Sequence, residues 1–122
     1  MKLDEHVTKA RRIEATMTGR LHRDQDYELY LEGYMLAGTH WLNVILHKLA
    51  VTREQADLVH SDKPRLETPV EARLRPLFEA MKYIEDLRPG YLRGTRPWSV
   101  EDGRQCEQCY QQVKRYAEEA LR

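Results

Sequence analysis

Three groups of side chains in this sequence have the types and spacing to do chemistry. His40 and His47 stand seven residues apart, with Asn43 between them. On a helix that spacing puts both rings on one face, about 10 Å apart along the axis. A helical metal pair needs histidines three or four residues apart, so these two do not reach one ion directly. They suit a partly buried polar seam of hydrogen-bonded rings, or a seam that faces a ligand. Cys106 and Cys109 form a lone Cys-x2-Cys. No second pair completes a four-ligand zinc site, and the strand–helix setting of a redox motif is absent. Both sulfurs fall on an apolar stripe, so they read as core. Finally, Arg88, Arg93, Arg96 and Arg104 bracket a stretch that holds Tyr91 and Trp98. Forked guanidinium groups beside aromatic rings can clamp a phosphate or carboxylate and stack on a base.

The candidate ligand site is therefore Arg88, Tyr91, Arg93 and Arg96, with His47 joining if its end of the helix comes close. The competing reading is a solvated loop whose arginines pair with carboxylates on nearby helix ends. The sequence contains no serine–histidine–acid set, phosphate loop or paired-carboxylate motif. No catalytic residue is assigned, and neither a metal nor a cofactor is expected.

The elements that must position these groups are helical. Tyr27 to Leu49 carries no charge between Glu32 and Lys48 and is apolar on nearly every side. A helix of that kind is central, packed by neighbours on more than one face. Leu3, Val7, Ala10, Ile13, Met17 and Leu21 mark one face of a first helix over residues 2–18, closed by Gly19. Asp24 is placed to cap the central helix, which ends near Ala50. Thr52-Arg53-Glu54-Gln55 has the form of a capping box and predicts a short third helix. His60 to Pro64 reads as a loop. Thr68-Pro69-Val70-Glu71 is a start signal for the next long helix, with Val70, Leu74, Leu77, Met81, Ile84 and Leu87 on its stripe. Pro76 should kink that helix or delay its start. Arg88-Pro89-Gly90 stops it, a loop runs from Tyr91 to Trp98, and Ser99 opens the last helix. Its stripe is Cys106, Cys109/Tyr110, Val113, Tyr116/Ala117 and Leu121. No strand pattern occurs. The fold class is all-α: one domain over 1–122, an up-down four-helix bundle with one short extra helix between the second and third long ones. Gly33 and Gly38 inside the central helix imply close packing by a neighbour, and Tyr27, Tyr30 and Tyr34 read as core or interface.

The 122 residues hold 20 Lys+Arg and 20 Asp+Glu, a formal net charge of zero. That balance argues against a dedicated nucleic-acid binder and mildly favours self-association. The N-terminal stretch lacks the apolar segment of a signal peptide, and the central segment is too polar to span a membrane. A cytoplasmic homodimer is expected, with no membrane partner.

Three segments carry a family resemblance. Leu29 to Val51 (LYLEGYMLAGTHWLNVILHKLAV) resembles the second helix of the HEPN-like helical bundles. Tyr83 to Tyr91 (YIEDLRPGY) is similar to that family's third-helix stop, and Cys109 to Leu121 (CYQQVKRYAEEAL) resembles its final helix. The resemblance implies a dimer and, in the toxin branch, a metal-independent ribonuclease with an Arg-x(4–6)-His motif. Arg88 to Thr95 stands at the expected position and has no His; Arg53 and His60 match the pattern elsewhere. Many family members are binding or accessory domains. The preferred reading is a non-catalytic, HEPN-like domain that binds a protein partner or small anionic ligand. The alternatives are a nucleic-acid-acting enzyme and a metal-dependent four-helix enzyme using His40, His47 and acids from other helices.

Overall fold

The structure is a computed structural model that describes residues 1–58 and 72–122. Four long helices make it: α1 (Leu3–Arg20), α2 (Tyr27–Lys48), α3 (Arg75–Arg88) and α4 (Val100–Ala120). There is no strand among the described residues. His6 of α1 lies beside His40 of α2, and Met17 beside Gly33, so α1 and α2 are antiparallel. Arg88 of α3 meets Glu32 and Met81 meets Gly38, so α3 also opposes α2. Tyr27 stacks on Trp98 just before α4, and Trp41 bonds Tyr110 within it, so α4 runs with α2. This is the up-down bundle that the helical periodicity predicts.

The central helix buries 14 of its 22 residues, which is why it reads apolar all round. One chain supplies that cover, since α1, α3 and α4 all pack on α2. The apolarity of α2 therefore does not itself require a second copy. Gly33 and Gly38 let neighbours close in: an added Cβ would run into the side chain of Met17 at the first and of Met81 at the second. The Cys106 side chain is fully buried and Cys109 partly so, both on the stripe where α4 meets the core. Burial pushes the Cys106 thiol up to about 12, which suits a core thiol rather than a reactive one.

Several boundaries differ from the sequence expectation. Asp24 does not cap α2; its carboxylate is taken by Arg23 and by the Trp98 indole N–H. Asp26 stands at the cap position, but its carboxylate accepts from the His22 backbone N–H instead. The capping-box sequence at Thr52 opens no helix through Leu58, the last described residue before the gap. Ala50 adopts a left-handed conformation at φ 57°, and the Val51 and Thr52 N–H groups both fold back onto the Leu46 carbonyl. The Thr52 hydroxyl is engaged by His47 rather than by a helix start. A short 3-10 turn, Ala72–Leu74, precedes α3. Pro76 sits in the first turn of α3, so it delays the start rather than kinking the helix. Arg88-Pro89-Gly90 does not stop the coil at once: Pro89–Arg93 continues as one π-helical turn, closed by Gly94 N–H donating to the Pro89 carbonyl. Ser99 caps α4 as expected, its hydroxyl accepting from the Asp102 N–H. The Thr68 start signal, the stretch from His60 to Pro64 and the Arg53–His60 pair's histidine lie outside the described residues.

Candidate functional site

Three of the four arginines of this stretch, Arg88, Arg96 and Arg104, stand in ion pairs. The Arg88 guanidinium donates to Glu32 and Glu85 and is 18% exposed, so its charge is already met. Burial opposes its charge, but the Glu32 and Glu85 hydrogen bonds outweigh that and raise its pKa. The Tyr91 ring is buried and its hydroxyl donates to Asp102. Arg96 donates to the same carboxylate at 2.9 Å and lies over the Tyr91 ring at 4.8 Å. Arg104 pairs with Glu101 one turn away. Arg93 is exposed. Tyr27 stacks on Trp98, and Tyr91 meets both rings edge-on, which locks this end of the bundle. Glu32 and His47 are fifteen residues apart on α2, roughly 22 Å of helix, so His47 does not join the arginines.

His47 belongs to a different cluster at the other end of α2. Three chain segments meet there: the first turn of α1, the second half of α2, and the turns that follow α2. His6 comes from α1 and is 2% exposed. His40 and His47 come from α2, and Asp57 from the turns. Both His6 Nε2 and His47 Nε2 point at one oxygen, Asp57 Oδ1, at 3.0 and 2.8 Å. Behind them, His6 Nδ1 lies 2.9 Å from His40 Nδ1, and His47 Nδ1 lies 3.0 Å from the Thr52 hydroxyl. The other Asp57 oxygen accepts from the Met1 ammonium at 3.0 Å. Asn43 ties the segment down: its amide donates to the Leu58 carbonyl at 2.6 Å and its oxygen accepts from the Leu58 N–H at 2.8 Å. That reciprocal pair holds Asp57 where the two rings reach it.

Electrostatics follow from this packing. Burial is the largest influence on His6 and lowers its pKa, against the opposing pull of Asp57. For Asp57 burial favours the neutral acid. Hydrogen bonds from His6, the amino terminus and His47 outweigh it and bring the carboxyl down to about 2.

At 3.0 and 2.8 Å the geometry fits Nε2–H groups of both rings donating to Asp57, with the two Nδ1 atoms accepting from His40 Nδ1–H and the Thr52 hydroxyl. A second arrangement would need a cation between the nitrogens and the carboxylate: both Nε2 lone pairs would then face the ion, and the Nδ1–H groups would donate outward to His40 and Thr52. An imidazole and a hydroxyl can each donate or accept, so the outer partners serve both arrangements. The second is the pattern of metal-ligating histidines, whose far N–H is held by an outer partner. The ligand atoms of His6, His47 and Asp57 all lie within 4.8 Å of one another. Around a tetrahedral ion with bonds of about 2.1 Å they would stand roughly 3.4 Å apart. The observed 2.8 and 3.0 Å N–O separations need only a small spreading to admit one.

Beside the cluster is a cavity of about 150 Å³, bordered by His6 and Asp57 and lined by Leu36, Thr39, Asn43 and Leu58. The Thr39 side chain lines it, is 7% exposed, and its hydroxyl has no hydrogen-bond partner. Among the described residues it is the one buried side-chain polar atom in that state.

Sequence reasoning found His40, Asn43 and His47 as a face of α2 but did not connect His6 or Asp57 to them. His6 had a signal: it falls three residues after Leu3 and four before Ala10, a polar ring within the apolar stripe of α1. Asp57 had none, because its neighbours in sequence have no periodicity.

No family model, curated protein or solved structure matches the chain. No helix among the described residues is long and apolar enough to cross a membrane.

Proposed function

We propose that this chain is a ligand-binding helical-bundle domain whose ligand is a divalent transition-metal ion, held by His6, His47 and Asp57. One observation carries the reading: two ring nitrogens and a carboxylate oxygen, from three separate chain segments, lie within 4.8 Å of one another. A mixed imidazole–carboxylate set suits borderline ions such as Zn²⁺, Co²⁺ or Fe²⁺ better than Mg²⁺ or Ca²⁺, which prefer oxygen donors. His40 and Thr52 are positioning residues that hold the two rings. The seven-residue spacing of His40 and His47 is consistent with this division: His47 binds the ion and His40 sits behind His6.

The reading keeps the non-catalytic, ligand-binding character of the preferred sequence reading and moves the site to the opposite end of α2. A nucleic-acid role draws little support, because Arg88, Arg96 and Arg104 are engaged by carboxylates. A homodimer remains compatible with the zero net charge, and the metal site does not depend on it.

The test is calorimetric titration of untagged, chelator-stripped protein with Zn²⁺, with Mg²⁺ as control. Wild type should bind one Zn²⁺ per chain. Asp57→Asn and His47→Ala, checked for helical content by circular dichroism, should each lose at least about 100-fold in affinity, and His40→Ala about 10-fold. Zinc binding of equal strength in Asp57→Asn would sink the proposal.

A further inference from the structure

The three protein ligands would leave the ion's coordination incomplete, and a cavity borders two of them, His6 and Asp57. Structural zinc sites close with four protein ligands, whereas three-ligand sites keep a position for an exchangeable group. Among the described residues only His6, His47 and Asp57 form a ligand set. The cavity that borders His6 and Asp57 is about 150 Å³. A water molecule takes about 30 Å³, so the space holds a group of several heavy atoms and no more.

The lining has a division of labour. The Thr39 hydroxyl is buried, partnerless and on the cavity wall. A buried polar atom without a partner costs free energy and calls for an explanation such as a ligand. The Asn43 side chain is already occupied by the Thr39 and Leu58 backbones, so it contributes shape rather than a free donor. Leu36 and Leu58 give the wall an apolar part, and Met1 and His40 complete it beside His6 and Asp57. A divalent ion with two neutral imidazoles and one carboxylate carries a net charge of about +1, which favours an anionic fourth ligand.

We propose that the bound ion takes a small monocarboxylate in this cavity. One carboxylate oxygen would bind the ion, Thr39 would donate its hydroxyl hydrogen to the carboxylate, and the short alkyl end would lie against Leu36 and Leu58. This rests on the metal-binding reading above and adds to it the ligand class and the residue that selects it. No bond is made or broken in the carboxylate; the step is an exchange with metal-bound water.

Cobalt(II) gives the test, because its visible absorption bands report coordination directly. Wild type and Thr39→Val are brought to saturation with Co²⁺, so that metal occupancy is the same, and titrated with formate and acetate. Both anions should shift the bands in wild type. Thr39→Val should require about ten-fold more acetate for the same shift, the effect of losing one hydrogen bond to a charged group. Absence of cobalt bands in wild type overturns the metal reading itself. Cobalt bands that ignore formate and acetate leave the metal site standing and overturn the carboxylate proposal. An equal response in both proteins also overturns it, because the anion then binds without Thr39.

Discussion

The two ends of α2 are built on opposite plans. At the arginine end most charges have their opposite beside them: Arg88 with Glu32 and Glu85, Arg96 with Asp102, Arg23 with Asp24 and Glu107. The rings of Tyr27, Tyr91 and Trp98, one pair stacked and two edge-on, fill the remaining space. At the histidine end polar groups crowd onto one oxygen, a cavity stands open beside them, and a hydroxyl is left without a partner. Both ends carry residue types associated with binding. The difference is whether the polar groups are already satisfied. A satisfied cluster holds a fold together; one that leaves a donor over is arranged for something else.

If that contrast is right, substitutions at the two ends should have opposite consequences. The largest expected effect on stability is at the arginine end. Arg88→Ala leaves Glu32 and Glu85 without their cation, and Glu85 is 11% exposed. The loss should be about 2 kcal/mol, short of a fully buried pair because the site is partly solvated. Thermal melts should show a fall of several degrees, while zinc affinity stays as in wild type. A change in zinc affinity of ten-fold or more would mean that the ends are coupled and the contrast false.

A smaller effect should come from alkali acting on neither end. Burial raises the pKa values of Cys106, Tyr34 and Tyr110 in the shared core, Cys106 to about 12. An acid whose folded pKa is raised gives stability that is complete below its unfolded pKa and is lost as pH climbs toward the folded one. For Cys106, from its ordinary 9.0, the loss should reach on the order of 1 kcal/mol by about pH 10. Urea midpoints measured from neutral pH upward should therefore decline, with the same slope in wild type and Arg88→Ala. A flat profile would show that these groups are hydrated in the folded protein.

The smallest effect has the reverse sign. Thr39→Val keeps the shape of the side chain and removes a buried hydroxyl that has no partner. In metal-free protein it should raise stability by up to about 1 kcal/mol, since an unsatisfied buried group is itself a penalty. The same melts read it. A lower melting temperature would mean that the hydroxyl is satisfied in solution, and the histidine end would then resemble the arginine end more than it does here.

Much of the scaffold was legible from residue order. The apolar girth of α2, the stripes of α3 and α4, the Ser99 cap and the packing role of Gly33 and Gly38 all follow from local patterns, because helix period and capping act over a few residues. The same local signals misled at Thr52, where the His47 ring, five residues back in sequence, took the capping hydroxyl. They also placed Asp24 at a cap when Trp98, 74 residues on, claims its carboxylate. The arginine stretch could be seen in the sequence, but not that its charges are neutralised from α2 and α4. His40 and His47 were visible as one helix face; that His6 and Asp57 complete them was not. Covalent neighbours and periodicity determine which residues form helices. Which side chains share a point in space depends on how the antiparallel register of α1 on α2 and the Asn43–Leu58 tether bring distant segments together, and only the folded chain decides that.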